Sequence, residues 1–459
     1  MKESFRNKLK DMNILVVGMG RSGKAALEAL SGTGAKLSAQ DSQDASHMDE
    51  AFLEFLREGH VATYFGSTPD DMSVFDMLVL SPGVPPQLDF IREAASEGAE
   101  IIGELELAYR MTDAHFAAIT GTNGKTTTTT LAGEIFKAAG RKTSVVGNIG
   151  NPVVTEAVSA DSDSWMVTEV SSFQLETTRD FRPEVSAILN LTPDHLNRHK
   201  TMKAYGDAKA RIAVNQSPEE YLIINRDDEA AMELARQSRA TVVPFSRKAA
   251  LEAGAFLQGR DIVIKDFDGT IHHICSRDDL RIIGDHNVEN VLAAAALCYY
   301  AGIDEDVIGN AVRAFPGVEH RIEFCGTRDG VDYYNDSKGT NVDAAVIALK
   351  ALENNIILIA GGDGKAQDFT DLAAHLDGAV TALVLLGRDA PLIEEAARKA
   401  GFTDIFTCGS MEECVRKASE LARSGDKVLL SPACASWDMY PNYEVRGRHF
   451  KDCVRDITG

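Results

Sequence analysis

The hexapeptide Gly121-Thr122-Asn123-Gly124-Lys125-Thr126 follows the apolar run Phe116–Ile119 and opens a threonine run, Thr126–Thr130. Backbone N–H groups at such a helix start, together with the positive end of the helix dipole, bind phosphate oxygens. Lys125 has the reach for terminal phosphates, and the Thr126 hydroxyl suits Mg²⁺. The usual G-x-x-x-x-G-K-[ST] loop would place a glycine at Ile119, whereas here Gly121 comes two residues later. A threonine-rich helix start with a solvated lysine is the plainer alternative. A second turn, Gly18-Met19-Gly20-Arg21-Ser22-Gly23, lies between the strand Ile14–Val17 and a helical stretch from Ser22 to about Leu30. Asp41 then ends the next strand, where a ribose-binding acid belongs. Three readings stay open: a dinucleotide, a nucleoside diphosphate, or a tight turn without ligand. A helix N-terminus recognises a pyrophosphate and not a nicotinamide.

Metal-ligating types appear at two further strand ends. Glu169 closes an apolar strand in WMVTEVSSFQLE, and His195 follows another in NLTPDHLNRH. His195 and His199 are four apart, but no H-E-x-x-H is present, so a helical face with one structural histidine is the simpler account. One Glu and one His make an incomplete Mg²⁺ site, because Mg²⁺ prefers oxygen donors.

These residues need strand-end loops to position them. Three blocks supply such loops, in keeping with 459 residues at ~150 per domain. The first is a βαβ pattern in which a further strand, Met77–Leu80, runs into Ser81-Pro82-Gly83. The second starts near Glu104, with strands at Phe116–Ile119, Met166–Val170, Ala187–Asn190 and Tyr221–Asn225. A hairpin turning at Asp268-Gly269 follows, then the helix Asn287–Tyr300 and a linker at Pro316-Gly317. The third has strands at Val331–Asn335, Ile356–Ala360, Ala382–Leu386 and Lys427–Leu430, several ending in polar loops where ligands gather in open α/β sheets.

Composition narrows the partners. A formal charge of −22 argues against nucleic acid. No apolar run approaches the ~20 residues of a membrane helix, and the apolar segment after MKESFRNKLKDMN is too short for a signal peptide. Seven scattered cysteines without a C-x-x-C pair suggest reduced thiols in a cytoplasm.

The ordered segments GTNGKTT, EVSSFQLE, NLTPDHLNRH, YGDAKARI, GDHNVENVLAA, GVEHRIE, NDSKGTN and GGDGK resemble those of the Mur ligases, the ATP-dependent amide ligases of peptidoglycan precursor synthesis. GMGRSG and SPACASWDMYPNYEVRG resemble the D-glutamate-adding branch in particular. The resemblance spans essentially the whole chain. It implies an α/β fold of three domains: residues 1–103, Rossmann-like and UDP-binding; 104–317, a P-loop ATPase-like mainly parallel sheet; and 318–459, Rossmann-like and amino-acid-binding. The implied partners are small molecules (UDP-N-acetylmuramoyl-L-alanine, D-glutamate and ATP), with no nucleic acid or membrane, and a cytoplasmic monomer is expected. The implied cofactors are ATP and Mg²⁺, two ions with Mn²⁺ as a substitute, and a CO₂-derived carbamate on Lys209, with Lys203 the nearby alternative. The carbamate would complete a metal site of Thr126, Glu169, His195 and Lys209.

By the same resemblance Lys125, His195, Lys209 and Lys338 carry the catalysis. ATP falls to Gly121, Thr122, Asn123, Gly124, Lys125, Thr126 and Thr127, with Asn290 at adenine and Arg321 and Asp336 at phosphates and ribose. The UDP substrate falls to Gly20, Arg21, Ser22, Gly23, Asp41, Ser42, Ser81, Pro82, Gly83, Asn148 and Gln174. D-Glutamate falls to Lys338, Thr340, Lys365, Ser436 and Tyr443. Three other enzyme readings compete, one of them a related ligase that adds another amino acid. A folylpolyglutamate-synthetase-like enzyme would lack the GMGRSG domain, and a dinucleotide oxidoreductase leaves the second phosphate loop unexplained. A nucleotide-binding regulator without turnover would have no use for Lys125, Glu169, His195 and Lys209 together.

Overall fold

Apolar runs of four to six residues, each closed by glycine or a polar turn, form three mostly parallel sheets in the computed structural model, which describes residues 3–458. The first sheet comprises β1 (Asn13–Val17), β2 (Lys36–Asp41), β3 (Ala62–Phe65), β4 (Met77–Leu80) and β5 (Glu100–Gly103). Its order is β3-β2-β1-β4-β5, all parallel. The order reverses between β1 and β4, so the glycine turn after β1 and the Ser81–Gly83 loop after β4 flank a switch-point crevice.

The second sheet contains β6 (His115–Thr120), β7 (Thr143–Gly147), β8 (Trp165–Glu169), β9 (Val185–Ile188), β10 (Tyr221–Asn225), β11 (Thr241–Ser246), β12 (Gly254–Gln258), β13 (Asp261–Lys265) and β14 (Ile271–Ser276). Its order is β14-β13-β12-β11-β10-β9-β6-β8-β7, parallel apart from the antiparallel edge formed by β13 and β14. Here β6 lies between β8 and β9, which places the Gly121–Gly124 loop at the reversal and Glu169 at the end of the neighbouring strand. The third sheet holds β15 (Glu323–Arg328), β16 (Val331–Asn335), β17 (Ile356–Ala360), β18 (Val380–Leu385), β19 (Ile405–Thr407) and β20 (Lys427–Leu430), in the order β15-β16-β20-β17-β18-β19. Only β15 runs antiparallel.

The chain packs as two compact units, residues 1–280 with 288–315, and residues 281–287 with 316–459. The first unit carries two sheets on one continuous core. Ile14, Val16 and Val79 from the first sheet and Phe116, Met166 and Ile188 from the second belong to the same buried cluster. The helix Glu104–Met111 joins them. Its Tyr109 meets Phe116 and Phe181 edge to face at 5.6 Å, and Phe116 and Phe181 meet each other at the same distance, a favoured aromatic geometry. Alternation sorts the third sheet in the same way: Ile356 and Leu358 face one core, and Ile357 and Ile359 face the other.

Two buried glutamates on the joining helix are treated differently. Glu106 accepts the backbone N–H groups of Arg179, Asp180 and Phe181 at 2.8–3.1 Å and pairs with Arg110. Glu104 accepts the N–H of Val154, at 2.6 Å, through Oε1, while Oε2 is buried without a partner. Burial pushes the Glu104 carboxyl up to about 7, against hydrogen bonds from Val154 and Val153. A carboxyl raised in the folded state contributes stability while protonated, and that stability is lost as pH rises from the usual glutamate range through 7. Glu104→Gln is therefore expected to melt higher than the parent at pH 8.5, by the equivalent of ~1–3 kcal/mol. The gap should close towards pH 5, and calorimetry that finds it independent of pH would refute this.

Candidate functional site

Glycine is needed in the loop after β6 because its surroundings leave no room for a side chain. Gly124 has φ 84°, and a Cβ there would run into the Asn290 side chain, whose Oδ1 accepts from Thr128 Oγ1 at 3.3 Å. The loop is held from behind by Asn190, whose Oδ1 accepts the N–H of Thr122 (3.0 Å) and of Asn123 (2.8 Å) while its Nδ2 donates to the Asn123 carbonyl (3.1 Å). Strand β9 ends at Ile188 and not at Asn190 as expected, because Asn190 leaves the ladder to clamp this loop. The helix Lys125–Ala138 begins directly after Gly124, with Thr126 and Thr127 in its first turn. Lys125 Nζ folds back over the loop and donates to the carbonyls of Gly121 (2.9 Å) and Thr122 (2.8 Å).

A second amine reaches the same carbonyl. Lys209, on the helix Met202–Ala210, is 1% exposed and donates to Gly121 O at 2.7 Å, with its Nζ 4.6 Å from the Tyr205 ring centroid. Burial drives its pKa well below the ordinary lysine value, and the positive charge of Lys125 pushes the same way. Lys203 is exposed and paired with Asp207 at 2.6 Å, which leaves Lys209 as the buried amine of this helix. Glu169 is also 1% exposed; its Oε1 accepts from Asn148 Nδ2 at 2.7 Å, and Oε2 is buried with no partner. A buried carboxylate oxygen left unpaired beside a desolvated amine fits a site that takes a cation.

The two histidines separate as the simpler account requires. His199 is buried, with Nε2 2.9 Å from Ser172 Oγ and Nδ1 3.3 Å from Glu176. His195 is half exposed, in left-handed backbone with φ 52°. Burial lowers its pKa against the pull of Asp194, and Lys125 and Lys209 lower it further.

At the first sheet, Gly18 has φ 86° and its carbonyl accepts from Ser81 Oγ at 2.7 Å, while Gly23 packs so closely on the Gly18 carbonyl that a Cβ would not fit. Asp41 Oδ2 accepts the Met19 N–H at 2.6 Å and Oδ1 the Gln43 N–H at 2.8 Å, so its carboxylate shapes the turn. Asp41, Ser42 and Gly83 line a cavity of about 630 Å³ together with Ser67, Thr68 and Phe90, which had no motif to mark them. Arg21 donates to Gly150 O at 2.6 Å, across to the second sheet. Gly20, Ser22 and Pro82 complete the two loops. Gln174 gives its Oε1 to the Ser171 N–H in a capping box.

In the second unit the strand-end loops are tied by an arginine that sequence reasoning passed over. Arg446 is 2% exposed; its Nε donates to Ser337 Oγ (3.0 Å), and Nη2 donates to the carbonyls of Ser337 (2.9 Å) and Cys434 (3.1 Å). It thereby joins the Asp336–Lys338 turn to the 432–436 loop and to the helix Tyr443–Thr458. Burial lowers its pKa to about 10. Lys338 Nζ lies 5.6 Å from the Tyr443 ring centroid, the Thr340 N–H donates to Lys338 O, and Lys365 Nζ lies 4.4 Å from the centroid of Trp437. Ser436, 3% exposed, follows Ala435, which exchanges backbone hydrogen bonds with Asp363. Asp336 accepts from Ser431 Oγ at 2.7 Å and from the Ile322 N–H, and burial raises it to about 6. Arg321 sits between His320 and Ile322, both in left-handed backbone (φ 65° and 44°), a costly conformation outside glycine. Glu319, His320 and Glu323 come close enough to hold a metal, but Lys451 already pairs both carboxylates.

The family comparisons agree with this arrangement. Residues 12–103 match the Mur ligase MurD-like N-terminal domain, 119–298 the Mur ligase middle domain, and 320–434 the Mur ligase glutamate ligase domain. The chain belongs to the Mur ligase family, whose members carry out ATP-dependent amide ligation of peptidoglycan precursors. It is 45% identical over 452 residues to the UDP-N-acetylmuramoylalanine--D-glutamate ligase of Thermoanaerobacter sp. (strain X514), covering 98% of this chain and 99% of that one. The Clostridioides difficile (strain 630) protein of the same name is 46% identical over 450 residues, with the same coverage. A solved UDP-N-acetylmuramate-alanine ligase from Thermotoga maritima shares the fold, with TM-score 0.60 at 18% identity over 97% of this chain and 100% of that one.

Arg446→Lys keeps the charge but cannot supply the fork that serves Ser337 and Cys434 together. It is expected to cost ~1–3 kcal/mol in the melting of the second unit. Unchanged calorimetric melting would show that the guanidinium does not hold these loops.

Proposed function

We propose that the protein joins D-glutamate to UDP-N-acetylmuramoyl-L-alanine with hydrolysis of ATP to ADP and phosphate, acting as a monomer in a cytoplasm. The observation that carries this reading is the meeting of two lysine amines and an unpaired carboxylate oxygen around the loop after β6. Among the described residues no helix is long and apolar enough to cross a membrane.

A carboxylate resists attack by an amine because oxide leaves poorly. Transfer of the terminal phosphoryl of ATP to the L-alanine carboxylate gives an acyl phosphate, which the D-glutamate amine attacks with loss of phosphate. The first step brings two anions together, so fixed positive charge and N–H donors must face the phosphoryl group. Lys125 and the backbone of Gly121, Thr122, Asn123 and Gly124 supply them. Moving Lys125 Nζ from the Gly121 and Thr122 carbonyls onto phosphate exchanges neutral acceptors for an anion. Thr126, Glu169, His195 and Lys209 as its carbamate would hold Mg²⁺, with Mn²⁺ as a substitute. A bound pair of such ions would neutralise charge on the transferring phosphoryl group. Burial lowers the Lys209 pKa and so favours the neutral amine, the form able to add CO₂ and become an oxygen donor beside Glu169. The Asn148 amide orients Glu169.

Asn290 is assigned to adenine, and Arg321 and Asp336 to the nucleotide's phosphates and ribose. The UDP substrate is assigned to Gly20, Arg21, Ser22, Gly23, Asp41, Ser42, Ser81, Pro82 and Gly83, with Gln174 nearby. Lys338, Thr340, Lys365, Ser436 and Tyr443 are assigned to the incoming amino acid, whose two carboxylates need such donors.

Phosphate release with ATP and UDP-N-acetylmuramoyl-L-alanine is expected with D-glutamate, and not with L-glutamate or L-lysine. Turnover with a different amino acid alone would overturn the assignment. Lys209→Arg keeps a cation but cannot form the carbamate, and should lower kcat about 100-fold or more. Near-normal turnover of this variant would remove Lys209 from the metal site.

A further inference from the structure

Arg198 lies in the NLTPDHLNRH segment but was given no role above, yet its guanidinium is the junction of two loops assigned to the reaction. Nη1 donates to Gly83 O at 3.2 Å and Nη2 to Val84 O at 3.1 Å, both in the loop after β4. The same group pairs with Glu176 at 2.6 Å and lies 4.8 Å over the Phe173 ring. Both partners of the ion pair are largely withdrawn from water, with side chains 13% and 14% exposed. Backbone joins Arg198 to His195 as well, since the Arg198 and His199 N–H groups donate to His195 O at 3.0 Å.

Phe173 is the plate on which this turn rests. His195 and His199 lie 4.9 Å and 5.4 Å from its ring, and Arg198 covers it too. Glu176 grips the turn twice, Arg198 through Oε2 and His199 Nδ1 through Oε1. His195 is held in left-handed backbone, a conformation that does not persist without such support.

We infer that Arg198 is a positioning residue that couples the loop closing the nucleotide-sugar site to the turn carrying His195. Building that loop correctly and aiming His195 then become one event, with Arg198 as the shared part. The inference rests on the proposed function, in which the loop after β4 holds the nucleotide sugar and His195 stands where that substrate's carboxylate receives the phosphoryl group. A purely structural arginine would lower stability and affect all substrates alike. A coupling arginine shifts the nucleotide-sugar KM together with kcat and spares ATP.

The test uses full-length protein with Arg198→Ala and Arg198→Lys. Initial rates would be taken against each substrate, with calorimetric binding of UDP-N-acetylmuramoyl-L-alanine and thermal melting alongside. Arg198→Ala is expected to raise the nucleotide-sugar KM and Kd at least 10-fold and lower kcat at least 10-fold, with the ATP KM within 2-fold of the parent. Arg198→Lys, which retains the Glu176 pair but not both carbonyl bonds, should show the same pattern at smaller size and carries the test if the alanine variant does not fold. Parental KM, Kd and kcat in both variants would overturn the inference alone, as would equal changes in the KM of all three substrates. Absence of turnover by the unaltered protein would overturn the functional reading, and this inference with it.

Discussion

Two lysine amines donate to one carbonyl oxygen, that of Gly121, and the rest of the first unit's site follows from that crowding. Two ammonium groups so close to each other, one of them sealed from solvent, repel strongly at low local dielectric. The repulsion and the lost hydration are relieved when the buried amine gives up its proton. The helix Met202–Ala210 thus brings a buried amine to the end of β6, and Glu169 brings a buried carboxyl group to the end of β8. Parallel strand pairing keeps these ends together, because β6 and β8 run side by side with Ile119 opposite Glu169.

Order beyond that point comes from polar side chains that stand in for backbone partners. Asn190 fixes the loop after β6 by reading two N–H groups and one carbonyl, as a neighbouring strand would. Arg446 does the converse in the second unit, giving three hydrogen bonds to two loops that have no ladder between them. A buried guanidinium is costly to desolvate, and a fork of fixed geometry is what makes that cost useful. Both devices fix the backbone of their loops without a ladder.

Contiguous features were legible in the sequence, and assembled ones were not. The loops at Gly18–Gly23 and Gly121–Thr126 stand out because their glycines, joined in the second by lysine and threonine, fall at short fixed spacing within one contiguous segment. The buried strands β1, β4, β10 and β17 are unbroken or nearly unbroken apolar runs and lie where the patterning places them. Strands β3, β15 and β19 escaped because they are edges, short or polar, with exposed positions that carry no alternation. Asn190, Arg198 and Arg446 escaped for another reason: each acts on a segment distant in sequence, and nothing in its own neighbourhood records the partner. Lys209 looks like a surface lysine until the packing of its helix is known.

The continuous core beneath the first two sheets bears on how the chain could be divided. The family match of residues 12–103 marks an inherited module with its own sheet. Mechanically that module is half of a larger body, since Ile14, Val16 and Val79 pack in the same cluster as Phe116 and Met166. Cutting the chain after Gly103 would lay Leu105, Leu107, Ala108 and Met111 open to water, and with them the face of the first sheet that they cover. A fragment ending there would carry a sticky apolar surface. The first sheet is thus kept covered only in a piece that retains the core of the first unit, Tyr109, Phe116 and Phe181 included.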